Sequence, residues 1–360
     1  MTSQVEENAT TFTELSHTRA AIWRGGGDVV IESVPLPVLQ TGEVLVRVRL
    51  ATVCGSDRHT VTGRRPQPCP SVLGHETVGE IVALGDGEPL AVDGNPLGKG
   101  RRVVWSVTLP CGTCDRCVAG VTAKCRTLRK AGHESLYSAW PLSGGYAEHV
   151  VLPRGMPVAV VADDIADALA APAACATATV MAVIERALPV GGRRVVVIGA
   201  GMLGLTALAA AADLGASTVT AVDPSAERRE IAAHFGAEVT AESVNEIEEC
   251  DVLLEFSGKS AALQAGLRTL DVSGVAVFAG SVAPDGDIAV DPEAVVRRHL
   301  TLVGVHNYEP RHLLQALNFL QRTKDRFPWA DLVADPVPLD RIAGLLLDAP
   351  GPKPRYAVAP

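Results

Sequence analysis

Four of the eight cysteines in this 360-residue chain crowd into one segment, CGTCDRCVAGVTAKC. Cys111, Cys114, Cys117 and Cys125 follow the pattern Cys-x2-Cys-x2-Cys-x7-Cys. Short Cys-x2-Cys steps let a backbone loop round one ion and present several thiolates to it, as tetrahedral Zn2+ requires. Disulfides are the competing reading. The N-terminal stretch MTSQVEENATTFTELSHT has neither a basic start nor an apolar core, so it does not resemble a secretory leader. With all four positions filled by protein, such a zinc is structural and closed to substrate.

Chemistry must therefore lie elsewhere, and three further residues look like ligands of an open site. Cys54 sits in CGSDRH, His75 in GHE beside Glu76, and Cys175 in PAACATAT. Taken singly, a cysteine is more often a small buried hydrophobe and a histidine a satisfied core residue. Their company gives them weight.

A second constellation is Gly199-Ala200-Gly201-Met202-Leu203-Gly204, after four β-branched residues, Val195 to Ile198, and before the alanine-rich run LGLTALAAAADLG. The first Gly turns the chain, the second admits a pyrophosphate to the backbone, and the third lets helix and strand pack closely. The phosphates then meet unpaired N–H groups at the helix start. Asp223 follows Gly204 by 19 residues, where a carboxylate accepts both adenosine ribose hydroxyls. The expected cofactor is NAD. Arg228 and Arg229 lie where a 2′-phosphate partner would sit, so NADP stays open.

Two textures position these residues. From about 19 to 155 the chain is strand-rich and broken by Gly and Pro, as in EVLVRVRLATV and ETVGEIVALG. From about 170, strands RRVVVIGAG, STVTAVD, DVLLEFSG, GVAVFAGS and LTLVGVH alternate with amphipathic stretches. That alternation implies a doubly wound parallel sheet in an α/β chain. The expected divisions are an arm at 1–18, a catalytic domain at 19–170 with a zinc lobe at 108–128, a nucleotide-binding domain at 171–307, and a C-terminal return to the first domain at 308–360.

Thirty-two Lys and Arg against 41 Asp and Glu leave a net charge of −9, which opposes nucleic-acid binding. The weakly polar stretch from Ile165 to Ile184 is mostly Ala and contains Asp167 and Pro172, so it reads as a buried helix rather than a membrane span. A soluble cytoplasmic protein is expected.

GHETVGEIVALG, the four-cysteine lobe, GGYAEHV and GAGMLG together resemble the zinc-dependent medium-chain alcohol dehydrogenases, in that family's order and at about its spacing. The resemblance covers nearly the whole chain. It implies a GroES-like β-rich catalytic domain beside a Rossmann domain, two zinc ions per chain, and a homodimer or homotetramer. Cys54, His75 and Cys175 then take the catalytic zinc, with Glu76 as a neighbouring carboxylate. Ser56 matches the hydroxyl that contacts substrate oxygen, and His59 the group that passes its proton to solvent. Arg355 resembles a C-terminal basic residue near the pyrophosphate.

Within the family, VVWSVTLPCGTCDRC, LRKAGHE and PAACATATVMA look most similar to alcohol dehydrogenases associated with phosphonate catabolism. The substrate so implied is a hydroxyalkyl phosphonate or another polar alcohol, against a polyol or secondary alcohol. Arg58, Arg64, Arg65, Lys130 and His133 flank the presumptive site, either as anion holders or as solvated surface charges. A non-catalytic NAD-sensing zinc protein is the reading furthest from these.

Overall fold

A computed structural model describes residues 16–348 and 351–360. The first texture forms a sheet in the order Val158–Val160, Arg102–Trp105, Glu76–Leu84, Val44–Thr52, Ala357–Ala359, Val337–Pro338, with His149–Leu152 also on Val44–Thr52. The decisive register is between Val44–Thr52 and Glu76–Leu84, which run antiparallel with Val44 opposite Leu84 and Thr52 opposite Glu76. Cys54 lies two residues past the end of one strand and His75 one residue before the other. The pairing therefore brings them to the same edge of the sheet before any side-chain preference is considered.

The second texture is a six-stranded parallel sheet: Val239–Ala241, Thr218–Val222, Arg194–Ile198, Cys250–Glu255, Leu270–Phe278 and Thr301–Gly304. In chain order this is 3-2-1-4-5-6, so the switch point falls between Arg194–Ile198 and Cys250–Glu255, where ligands bind in such sheets. Residues Val195 to Ile198 and Val252 to Glu255 are buried, as parallel strands covered on both faces must be. The short strand Val239–Ala241 escaped the sequence reading. Two of its three residues are exposed, which leaves no apolar pattern to read.

Between the sheets runs one long helical segment, Asp167–Ala187, with 72% of its most apolar window buried. It is α-helical to Pro172, π-helical over Ala173–Thr177, and α-helical again over Ala178–Ala187. Pro172 has no N–H for the Ala168 carbonyl, and the widened turn follows at once. Cys175 is the middle residue of that turn. The alanines around it share a core with Leu50, Val78 and Val104 of the first sheet and Val195 and Val197 of the second.

Several divisions read from the sequence need correction. Residues 1–15 of the 1–18 arm lie outside the described residues, and His17 and Thr18 already belong to the strand His17–Gly25. The boundary at 170/171 cuts through Asp167–Ala187, because Ala offers no break at that point. The lobe extends past 128, since Arg129–Lys130 pairs antiparallel with Thr108–Leu109 and closes it. The segment from 308 does not return at once. Helix Pro310–Thr323 packs its Leu313, Ala316 and Leu320 into the core of the nucleotide-binding half. Among the described residues of this segment, only Val337–Pro338 and Ala357–Ala359 enter the first sheet, the latter with Ala357 opposite Thr52.

Candidate active site and nucleotide cleft

Cys54 caps the start of helix Gly55–Val61, His75 precedes a strand, and Cys175 sits in the π-turn. The Cys54 and Cys175 sulfurs and a ring nitrogen of His75 all lie within 4.8 Å of one another. Two sulfurs and an imidazole converging from three elements make a donor set suited to zinc, with three protein ligands leaving a fourth position open. Ser56 Oγ is 3.3 Å from His75 Nε2, so a hydroxyl stands beside that position. His59 follows Ser56 by three residues on the same helix, half-buried.

Asp57, which the sequence reading passed over, organises this cluster. One carboxylate oxygen accepts the Cys54 N–H at 3.0 Å and the Tyr146 hydroxyl at 2.9 Å. Its other oxygen lies 3.3 Å from His75 Nδ1, an ion-pair distance whose line is too oblique for a full hydrogen bond. That contact leaves Nε2 facing the sulfurs. Burial resists charging His75, but the Asp57 carboxylate outweighs it and raises the imidazole well above its ordinary pKa. The Cys175 hydrogen bond, helped by Arg355 and opposed by burial, lowers Cys54, and Cys175 rises in turn. A signal for Asp57 existed: it is the third helical residue after Cys54, the capping-box position.

Glu76 is fully buried and accepts hydrogen bonds from Thr52 Oγ1 at 2.7 Å and from Arg355 Nε and Nη2 at 2.7 and 2.8 Å. Burial pushes its carboxyl up, and the guanidinium holds it back. Arg355 Nη2 also reaches the Cys54 sulfur at 3.7 Å and its Nη1 the Pro354 carbonyl at 3.1 Å, so Nε and Nη2 are directed at Glu76 and the cluster. Arg58 is likewise engaged, through Nη1 on the Asp348 carbonyl at 2.5 Å, and Arg64 is exposed. His133 is different: its ring centroid lies 5.2 Å from that of His75.

In the lobe, the four sulfurs of Cys111, Cys114, Cys117 and Cys125 all lie within 4.8 Å of one another. Cys111 to Cys117 is 4.0 Å and Cys114 to Cys125 is 3.9 Å. A zinc–sulfur bond of about 2.3 Å in a tetrahedron puts sulfurs about 3.8 Å apart, so the lobe fits the ion and excludes disulfides. Backbone N–H groups support the negative sulfurs, Cys114 N on Cys111 Sγ at 3.4 Å and Cys111 N on Cys125 Sγ at 3.3 Å. Hydrogen bonds from Thr113 and Cys114 bring Cys111 down to about 5.

At the nucleotide loop Gly199 adopts φ +96°, which glycine alone takes without strain. A Cβ on Gly204 would stand 1.7 Å from the Gly199 carbonyl oxygen, so helix Met202–Asp213 packs this closely only without one. Gly201 caps that helix with no side chain, which leaves the N–H groups of its first turn, Met202 and Leu203 included, available to an anion. Asp223 is buried at the end of Thr218–Val222 and accepts the N–H groups of Ala200 at 2.8 Å and Ser225 at 2.9 Å. Arg228 Nη1 is 3.8 Å from its Oδ2 and 58% exposed, while Arg229 donates to the Asp223 carbonyl at 2.7 Å. Glu255 was also missed. Fully buried across the switch point, it receives Ser257 Oγ and Gly258 N on one oxygen and Gly280 N and Ser281 Oγ on the other, tying together two loops of the cleft.

Residues 40–162 match the alcohol dehydrogenase GroES-like domain, and residues 203–322 match the zinc-binding dehydrogenase domain. A 5-exo-hydroxycamphor dehydrogenase of Pseudomonas putida is 30% identical over 92% of this chain and 95% of its own length. A D-altritol 5-dehydrogenase of Agrobacterium fabrum is 31% identical over 88% and 91%. The crystal structure of an alcohol dehydrogenase from Thermotoga maritima superposes with a TM-score of 0.88 at 27% identity, over 96% of this chain and 99% of that one. The chain belongs to the zinc-dependent medium-chain alcohol dehydrogenases, NAD(P)-dependent oxidoreductases with a GroES-like and a Rossmann domain.

Proposed function

We propose that this enzyme moves hydride between a small polar alcohol and NAD(H) at Cys54, His75 and Cys175. The observation that carries the reading is the convergence of these three donors, from three separate elements, with the Ser56 hydroxyl beside them. Zinc held there supplies Lewis-acid polarisation of a substrate oxygen, and bound NAD accepts hydride at the nicotinamide ring.

The chain's own residues manage the proton. As the alcohol C–H leaves as hydride, the O–H proton passes to Ser56 Oγ, whose own proton moves on to the His59 ring and then to solvent. An imidazole suits this relay because its ordinary pKa lies near neutrality. Asp57 and Tyr146 hold His75 and the Cys54 backbone in place, and Arg355 keeps the Glu76 carboxylate fixed next to the sulfurs.

The four-cysteine lobe takes a second, structural zinc. Gly199, Gly201, Met202, Leu203 and Gly204 cradle the dinucleotide pyrophosphate, and Asp223 accepts the adenosine ribose hydroxyls, favouring NAD over NADP. Arg228 is a positive neighbour of the adenosine. The enzyme works in the cytoplasm as a homodimer or homotetramer. For the substrate, a hydroxyalkyl phosphonate or similar polar alcohol is the first reading. A polyol or secondary alcohol is the second, favoured by relatives named for altritol, threonine and hydroxycamphor. A screen of aldehydes and ketones with NADH and NADPH tests the activity, and no turnover of any carbonyl by zinc-loaded enzyme would refute it.

A further inference from the structure

Basic side chains gather on one flank of the catalytic cluster. Lys130 ends the strand Arg129–Lys130, and the His133 N–H donates to the Lys130 carbonyl at 3.1 Å, closing a β-turn with Gly132 at φ +69°. Lys130 is therefore one tight turn from His133, whose ring packs 5.2 Å from that of His75. From the other side, Lys124 Nζ meets His306 Nδ1 at 2.7 Å, so the cysteine lobe touches the segment that follows strand Thr301–Gly304. Glu309 secures that junction by accepting the N–H groups of Thr122 at 2.9 Å and Ala123 at 3.1 Å.

Arg65 is brought to the same turn by Gln67, two residues on, whose Nε2 donates to the Gly132 carbonyl at 2.9 Å. Burial first, then the charges of Arg65 and Lys124, lower the Lys130 ammonium, while the Cys175 sulfur acts the other way. Burial first, then Lys124, Lys130 and Arg65, bring His306 down to about 4. The neighbouring carboxylate of Glu134 is engaged by the Lys130 backbone N–H at 2.9 Å. Among the described residues, no carboxylate lies within ion-pair distance of Arg65, Lys124 or Lys130, whereas many other basic residues in the chain have such a partner. In a chain of net charge −9, cations gathered with no carboxylate at ion-pair distance, the nearby Glu134 and Glu309 being turned to backbone N–H groups, are organised for an incoming anion.

We propose that Lys130, Arg65 and the Lys124–His306 pair form a subsite for an oxyanion on the substrate, so that the alcohol oxidised at Cys54, His75 and Cys175 carries a phosphonate, phosphate or carboxylate a few bonds from its hydroxyl. The proposal rests on the catalytic reading above and deepens it. The subsite spans both halves of the molecule: Arg65, Lys124 and Lys130 come from the catalytic half, His306 from the nucleotide-binding half.

The test compares phosphonoacetaldehyde, succinic semialdehyde and butanal as substrates for zinc-loaded enzyme with NADH. Binding of methylphosphonate and of acetate is measured alongside by calorimetry. Wild type should favour an anionic aldehyde over butanal, and whether phosphonate or carboxylate wins identifies the anion. Lys130→Met should cut the ratio of kcat/KM for that aldehyde over butanal by about 10- to 100-fold, the worth of a charged hydrogen bond. Lys130→Arg should restore most of it, which a merely structural role would not predict. Equal kcat/KM for all three aldehydes, with neither methylphosphonate nor acetate bound, overturns the subsite while the dehydrogenase reading stands. Binding of methylphosphonate that Lys130→Met abolishes, without turnover of any aldehyde, upholds the subsite and refutes the dehydrogenase reading. A Lys130→Met effect confined to the KM for NADH assigns the charges to the cofactor and overturns the proposal.

Discussion

Arg355 holds Glu76 in a two-pronged grip, Nε on Oε2 at 2.7 Å and Nη2 on Oε1 at 2.8 Å, although 279 residues separate them in the chain. Both side chains are buried, and the same guanidinium touches the Cys54 sulfur. The pair ties the C-terminal segment to the edge of the sheet beside Cys54 and His75. Removing one member leaves an unpaired charge in the interior. Arg355→Ala should therefore cost about 3–5 kcal/mol, read by urea denaturation of zinc-loaded protein. A loss below about 1 kcal/mol, the worth of an exposed ion pair, would show that water reaches the site.

Asp57 offers a subtler perturbation. Asp57→Asn keeps the shape but weakens the hold on His75 Nδ1, so zinc at the catalytic position should bind about 10- to 100-fold more weakly. Chelator competition, with the four-cysteine zinc as internal reference, measures this. Equal weakening at both positions would indicate general destabilisation.

The proton relay predicts a pH signature. His59→Gln should depress alcohol oxidation near neutrality and leave zinc content unchanged, with activity partly recovered in alkaline buffer as bulk base takes the proton. Equal loss at every pH would assign His59 a structural role.

The proposed preference for NAD rests on Asp223. Its carboxylate already accepts two backbone N–H groups, so it is fixed in place. Two hydrogen bonds to a charged acceptor are worth a few kcal/mol, or on the order of a hundredfold in kcat/KM for NAD over NADP. Asp223→Ser should erase most of that difference. A wild-type preference for NADP would show that Arg228 governs the site.

Local features were the legible ones. The four-cysteine spacing and the glycine loop are signals complete within a few residues, and the alternating strands and helices announced the parallel sheet. Tyr146 stayed hidden because it lies 89 residues from the carboxylate it donates to; Asp57 carried a local capping signal, but its contact with His75 did not show in the sequence, nor did the reach of Glu255 to Gly280 and Ser281. The grip of Arg355 on Glu76 was not legible, since nothing in PKPRYAV reveals that the strand just after Arg355 begins opposite Thr52, itself paired with Glu76. The π-turn was equally unreadable. A proline followed by alanines is compatible with a kink, a break or a widened turn, and the packing between two sheets selects among them.

The central claim is that Cys54, His75 and Cys175 hold a metal distinct from the one in the lobe. Elemental analysis of purified enzyme tests it most directly, made on wild type and on Cys54→Ala with folding checked by circular dichroism. Wild type should contain close to two zinc ions per chain, and folded Cys54→Ala close to one, with hydride transfer lost. A single zinc per chain in both proteins would contradict the account.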